Sequence, residues 1–107
     1  MKVCVSSYGP TLDSKVQTVF GRCEYLIFID PTSMASEVVP NPFASMSEAA
    51  GMESAELVLA KGAKILLTAQ VGPKARQVLD AAGVKIITTK GGTVGDALEA
   101  YRKLHAN

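Results

Sequence analysis

The most constraining feature of this sequence is the regular alternation of short apolar runs and helical stripes in its second half. Apolar runs at residues 65–67 and 84–88 have the length of buried strands. Each is followed by apolar residues at the i, i+3, i+4, i+7 spacing of one helix face, within 75–82 and 94–101. Strand–helix–strand units form right-handed crossovers between parallel strands. The second half therefore predicts a β-α-β-α unit, with helices covering both faces of a sheet.

The first half is predicted to be rich in strands. Residues 3–7 and 25–29 are β-forming runs closed by turn residues, and a third run at 37–39 stops at Pro40. The short spacing between the second and third runs predicts a hairpin. Because proline cannot donate to a central ladder, we expect the third strand at the edge of the sheet.

One more helix and one long connection complete this half. A helical pattern follows residues 41–42, with Ser45 three residues before Glu48 as a candidate capping box, and it ends at Gly62. Residues 8–24 join the first two strands with 17 residues, whereas most connections have about 4 to 6. We therefore expect this connection to have a further task.

Composition excludes several classes of protein. With 107 residues, 48% of them hydrophobic and 20% charged, the chain is expected to fold as a single domain over residues 1–107. The net charge of +1 does not favour binding to nucleic acid or to an anionic membrane surface. The sequence shows neither the apolar core of a signal peptide nor a membrane-spanning run, which predicts a cytoplasmic protein.

Three segments are candidates for ligand binding, because ligands of open α/β sheets bind beyond the carboxyl ends of parallel strands. They are residues 6–9, 68–73 and 89–93. The last two lead into helices whose amide donors attract anions, with Lys74 and Lys90 nearby. The alternative is that their glycines only form tight turns. Neither segment matches the P-loop or the dinucleotide-binding pattern.

The two cysteines are expected to be free thiols in a reducing compartment. Cys23 follows Arg22, and an adjacent cation can lower the pKa of a thiol and make it a nucleophile or a metal ligand. The alternative is a semi-buried cysteine that fills space. Cys4 alternates with apolar neighbours in a predicted central strand, which favours an inert packed thiol. Two cysteines and one histidine do not make an ordinary zinc site.

Catalysis by side chains of this chain is not expected. His105 lies two residues from the C-terminus, and no other histidine is available to activate Ser6, Ser7 or Cys23. The methionines near the first helix are interpreted as gap-filling residues, with the alternative that soft thioethers line a site for a sulfide cluster. These are Met34, Met46 and Met52.

A series of short motifs occurs in order along nearly the whole chain. They are Val5-Ser6-Ser7 with Gly9, Leu12-Asp13-Ser14 with Val16, Phe20-Gly21-Arg22-Cys23, Asn41-Pro42, Val71-Gly72-Pro73-Lys74-Ala75, and Gly91-Gly92-Thr93-Val94 before Ala97-Leu98. With these motifs the chain resembles the dinitrogenase iron-molybdenum cofactor biosynthesis family, which includes NifX-like and NafY-like carriers. Tyr8 departs from the pattern, because many relatives have Asp there.

The resemblance implies an α/β fold with a ribonuclease-H-like motif. Its mixed sheet has five strands in the order 3-2-1-4-5, with the second strand antiparallel. In this order a crevice is expected between residues 6–10 and 68–73, bordered by 89–93. The resemblance does not imply nuclease activity, because the first strand lacks the carboxylates that hold two metal ions.

The resemblance also implies a non-catalytic protein that binds or carries an iron-sulfur or molybdenum-iron-sulfur cluster. We expect the preformed, anionic cluster to rest against the helix N-termini after residues 72 and 92. Arg22, Lys74 and Lys90 would balance its charge, and Cys23 would be a direct metal ligand. The remaining contacts are expected from Ser7, Gly9, Gly72, Gly91, Gly92 and Thr93. Folding is not expected to require the cluster.

Two other functions stay open at this point. One is a binding module for a small phosphate- or carboxylate-bearing metabolite, and the other is a regulatory or interaction domain without a ligand. The expected partners are a metal-sulfur cluster or small anion and cofactor-assembly proteins. A monomer or a weak homodimer is expected, since the edge strand at 37–39 leaves a surface for pairing.

Overall fold

A computed structural model describes residues 2–46 and 49–105, the last of these by its backbone only. Within these residues no helix has the length and hydrophobicity needed to cross a bilayer. The strands are β1 (Val3–Ser7), β2 (Tyr25–Ile29), β3 (Ser36–Pro40), β4 (Ile65–Thr68) and β5 (Lys85–Thr88), and the helices are α1 (Ala50–Ala60), α2 (Pro73–Ala81) and α3 (Val94–His105).

The strands form a mixed sheet in the order β3-β2-β1-β4-β5, which confirms the predicted order. β1 pairs antiparallel with β2, with Val3 opposite Ile29, and parallel with β4, with Val3 opposite Ile65. β2 and β3 form the predicted antiparallel hairpin, and β4 and β5 are parallel. β3 lies at the edge, as expected from Pro40.

Apolar residues alternate between two cores, one on each face of the sheet. On β1, Cys4 belongs to the core under α1 and α2, whereas Val3 and Val5 belong to the core under α3. This alternation follows from the two-residue period of a strand. Helices therefore cover both faces, as predicted.

The long connection at residues 8–24 crosses the carboxyl end of the sheet and joins the two cores. Val16 is buried in the core under α3, and Phe20 is buried in the core under α1 and α2. The backbone of this connection bonds to the loop after β4, from Phe20 N to Gln70 O at 2.9 Å, and to the loop after β5, from Val16 N to Gly92 O at 2.9 Å. Its further task is to cover the strand ends.

The start of α1 differs from the expected capping box. The helix begins at Ala50, and its N-cap residue, Ala49, makes no side-chain hydrogen bond. Of the expected pair, Ser45 lies in the preceding turn, and Glu48 lies outside the described residues. The helix ends as predicted, because Gly62 adopts a φ of +78° that other residues rarely adopt.

Candidate functional site

The main candidate site is a cavity of about 710 Å³ on the face of the sheet that carries α1 and α2. It lies where the 3-10 turn of the long connection, Phe20–Arg22, meets the beginnings of both helices. The residues that line it are Val19, Gly21, Arg22, Ala50, Gly51, Met52, Gln70, Val71, Gly72, Pro73, Lys74 and Ala75.

Two helix N-termini open into this cavity. The N-cap residues of α1 and α2 are Ala49 and Gly72, and neither of these two residues makes a side-chain capping hydrogen bond. The first amides of a helix have no partner within the helix and carry about half a positive charge together. Pro73, at the start of α2, removes one of these donors. The remaining amides contribute positive potential to the cavity.

Two cationic side chains add to this potential. The Arg22 guanidinium donates to the carbonyls of Ala44 and Met46, which attaches the segment before α1 to the edge of the cavity. Lys74 is exposed, and none of the described carboxylates forms an ion pair with it. Among the described lining residues none is acidic. The arrangement therefore favours an anion.

The inner surface of the cavity is formed by small residues and is largely apolar. Ala50 and Ala75 are buried beneath it, and the glycines leave backbone exposed. Val19 and Met52 line it with side chains that are 37% and 39% exposed, respectively. Gln70 supplies a polar side chain. A ligand in this cavity would meet amides and cations together with apolar side chains.

The expected crevice between residues 6–10 and 68–73 is filled by the chain itself. The Ser6 hydroxyl lies 2.7 Å from both the Thr68 hydroxyl and the Gln17 carbonyl. The Ser7 hydroxyl is buried and donates to the carbonyl of Gly9 at 2.7 Å. The prediction of an open crevice here is wrong, because the long connection satisfies the polar groups at the strand ends.

The loop after β5 lies on the opposite face and does not join this cavity. Lys90 and Gly91 line a separate, mostly apolar cavity of about 330 Å³ under α3. Thr93 and Asp96 form a capping box, with Asp96 N donating to Thr93 Oγ1 at 3.0 Å and Thr93 N to Asp96 Oδ2 at 3.1 Å. Gly92 has a φ of +80°. These features fit the alternative that the glycines of this loop form only a tight turn. The expectation that the N-termini of α2 and α3 meet in one binding site is wrong.

Cys23 lies in the core rather than in the cavity. Its side chain is 0% exposed, and Asn41 Nδ2 lies 3.5 Å from its sulfur. Burial raises the pKa of the Cys23 thiol to about 12, so the expectation that Arg22 lowers this pKa is wrong. Burial also raises the pKa of Cys4, which is packed as expected. Ligation of a metal by Cys23 would require its thiol to leave the core, and it stays a prediction.

The described residues of the cavity do not form a set of protein ligands for a metal ion. Among the described residues no group of three or more His, Cys, Asp or Glu side chains is placed to hold one. The side chain of His105 lies outside the described part of the chain. A metal-containing ligand would therefore need to bring its own donor atoms.

Sequence reasoning missed the contribution of α1 to the site. The lining residues missed are Val19, Gly21, Ala50, Gly51 and Ala75, whereas Gln70, Val71 and Pro73 lie in the predicted segment 68–73 and Met52 was named for the alternative thioether site. The available signal was Gly51, since glycine in the first turn of a helix is costly and indicates a close approach by another part of the chain. Such an approach occurs here from the backbone of Gly21, although a Cβ on Gly51 itself would meet only the Ala75 Cβ, at 3.4 Å.

Solved structures share this fold along nearly the whole chain. The apo form of the orange protein from Desulfovibrio gigas is 36% identical, with 95% of this chain and 87% of that chain covered and a TM-score of 0.90. A Thermotoga protein described as a NifB protein is 36% identical, with the same coverage and a TM-score of 0.84. A Methanocaldococcus jannaschii protein described as a dinitrogenase is 15% identical, with 96% and 88% covered and a TM-score of 0.71, and shows likeness of fold alone.

Sequence comparison supplies the family. No match was found among curated proteins. The model of the family described as dinitrogenase iron-molybdenum cofactor matches residues 1–104 of the 107 residues. The match includes the three segments that form the cavity, namely the 3-10 turn and the beginnings of α1 and α2. The chain therefore belongs to the dinitrogenase iron-molybdenum cofactor family.

Proposed function

We propose that the cavity at the beginnings of α1 and α2 binds a preformed metal-sulfur cluster anion as cargo, and that the protein carries this cargo between cofactor-assembly proteins. The observation that carries the proposal is the convergence on one cavity of Arg22, Lys74 and two helix N-termini whose N-cap residues make no side-chain hydrogen bond. Family membership supports the choice of a metal-sulfur cluster among anions.

The chemistry of the lining supports noncovalent binding. Amide donors and cations attract the charge of an anion, while Val19 and Met52 offer apolar contact to sulfide faces. The volume of about 710 Å³ lies within the usual range of small-molecule sites, about 300 to 1,000 Å³. Since none of the described lining residues is Cys, His, Asp or Glu, the cluster would keep its own sulfide ligands.

Noncovalent binding suits transfer. A cluster without a bond to the protein can leave without ligand exchange, so a recipient protein with thiolate or imidazole donors would capture it. The lining also lacks a nucleophile paired with a base among its described residues, which fits a carrier without catalysis of its own.

Equilibrium binding of tetrathiomolybdate under anaerobic conditions tests the proposal. Lys74→Glu should weaken binding by about tenfold, because it reverses a charge beside the bound dianion. Lys90→Glu is the matched control, since Lys90 lines the cavity on the opposite face and should leave the affinity unchanged. Equal effects of the two variants, or no binding by the wild type, would contradict the proposed site.

A phosphate- or carboxylate-bearing metabolite is the second candidate. It is favoured by the same two helix N-termini, whose N-cap residues make no side-chain hydrogen bond and whose amides would hold a phosphate equally well. Inorganic phosphate would then raise the melting temperature of the wild type, and Lys74→Glu would abolish the rise. A protein without a ligand would respond to neither anion.

Direct ligation by Cys23 has its own test. A sulfur–metal bond would add a charge-transfer band to the spectrum of the complex, and Cys23→Ser would remove it. With noncovalent binding, the spectrum of bound tetrathiomolybdate stays that of the free anion in both proteins. Cys4→Ser is the control for a change at a buried thiol in the same core.

A further inference from the structure

The cavity combines charge with exposed apolar side chains. Val19 and Met52 are 37% and 39% exposed, respectively, and both line it. Val19 is held in place by a backbone bridge to Gln70, and Met52 stands in the first turn of α1. Their positions leave both side chains available to a bound ligand.

Apolar contact affects anions unequally. An oxyanion is strongly hydrated, and its oxygen atoms lose water against Val19 and Met52 without gaining a hydrogen bond. A sulfide-bearing anion holds water less strongly, and its large, polarisable sulfur atoms gain dispersion contacts with the same side chains. Pro73 strengthens this difference, because it removes one of the amide donors that an oxyanion would need.

We infer that Met52 and Val19 are specificity-determining residues that make the cavity select sulfide-bearing over oxygen-bearing anions of the same charge and shape. This inference rests on the proposed function and concerns the same cavity. It assigns attraction to the helix N-termini and the cations, and discrimination to the two apolar side chains. The protein would then reject molybdate, phosphate and sulfate while it carries thiometallates.

The test compares tetrathiomolybdate with molybdate, which are tetrahedral dianions that differ in their outer atoms. We expect the wild type to prefer tetrathiomolybdate. Met52→Gln keeps the length of the side chain and adds polar atoms, so it should lower this preference by about fivefold, the effect of losing one or two apolar groups. Val19→Thr keeps the shape of valine and should act in the same direction.

Matched controls are available elsewhere on the surface. Met34 and Val38 are 38% and 39% exposed and lie outside the cavity, so Met34→Gln and Val38→Thr should leave the preference unchanged. If Met52→Gln and Val19→Thr weaken both anions equally, or change neither, the inference is overturned while binding by the wild type still supports the proposed function. If the wild type binds neither anion, both are overturned.

Discussion

Gly21 lies so close to α1 that a Cβ atom at this position would be 2.9 Å from the backbone nitrogen of Gly51 and 3.0 Å from its Cα. The missing side chain at Gly21 lets the 3-10 turn of the long connection press directly against the first turn of α1. The contact brings Arg22 beside the beginning of α1, whose N-cap residue, Ala49, makes no side-chain hydrogen bond. It therefore builds one side of the candidate site from segments about 30 residues apart in the chain.

Gly21→Ala should damage both stability and the site. The added methyl group meets backbone rather than a flexible side chain, so we expect a loss of about 1 to 3 kcal/mol in the free energy of unfolding, with weaker binding of tetrathiomolybdate. Urea denaturation measures the first effect. Gly72→Ala is the control for the stability measurement alone, because a Cβ there meets nothing within 4 Å and the φ of −63° suits alanine. A stable, fully binding Gly21→Ala protein would refute the close contact.

Asn41 should be a main support of the α1 side of the sheet. Its buried amide donates to the Cys23 carbonyl at 2.9 Å and to the Ser54 hydroxyl at 3.0 Å, and its carbonyl accepts from Phe43 N. Asn41→Ala leaves these groups without partners and should cost about 2 to 4 kcal/mol of unfolding free energy. The exposed turn residue Ser33 provides the comparison, since Ser33→Ala should cost less than about 0.5 kcal/mol. Similar urea-denaturation midpoints for Asn41→Ala and Ser33→Ala would argue against a stabilising role of the Asn41 hydrogen bonds.

Thr93 tests whether the loop after β5 has a structural or a binding role. Because Thr93 caps α3, Thr93→Ala should lower the unfolding free energy by about 1 kcal/mol. Thr93→Ser, which keeps the hydroxyl, should restore most of it. Neither variant should change the affinity for tetrathiomolybdate, and a binding defect without a stability defect would return this loop to the ligand site.

Stability should fall at alkaline pH through Cys23. Its folded pKa of about 12 lies above the ordinary value of 9.0, so the protonated thiol stabilises the fold fully below pH 9. This contribution is lost as the pH rises from 9 toward 12, because the unfolded chain releases the proton first. The wild type should therefore lose more unfolding free energy than Cys23→Ala between about pH 8 and about pH 10.5. If the unfolding free energies of the wild type and Cys23→Ala changed in parallel with pH, burial would not be keeping the Cys23 thiol protonated.

Much of the fold was predictable from local patterns. Apolar runs closed by turn residues and period-3.6 spacing located the five strands and the three α-helices of the described residues, and Pro40 indicated the edge strand. The boundary of α1 was misplaced because Ser45 resembled a cap, whereas the helix begins at Ala50 without one. Its first turn is supported by packing against Gly21, which no local pattern records.

The site was predicted in part. Arg22, Gly72 and Lys74 were named from the sequence and do line one cavity. Gly91 and Lys90 looked equivalent, since they also precede a helix, but they lie on the other face. A loop pattern shows that a helix begins nearby. It cannot show on which side of the sheet that helix packs.

The sequence by itself determined the strands and helices through residue periodicity, and it indicated the family through motifs read along the chain; the order of the sheet followed from the resemblance to that family. Only the tertiary structure decided which helix beginnings meet and whether a cysteine reaches them. Both depend on how residues 8–24 cross the strand ends, with Val16 entering one core and Phe20 the other. That path is set by contacts between distant residues, whose energies no local pattern encodes.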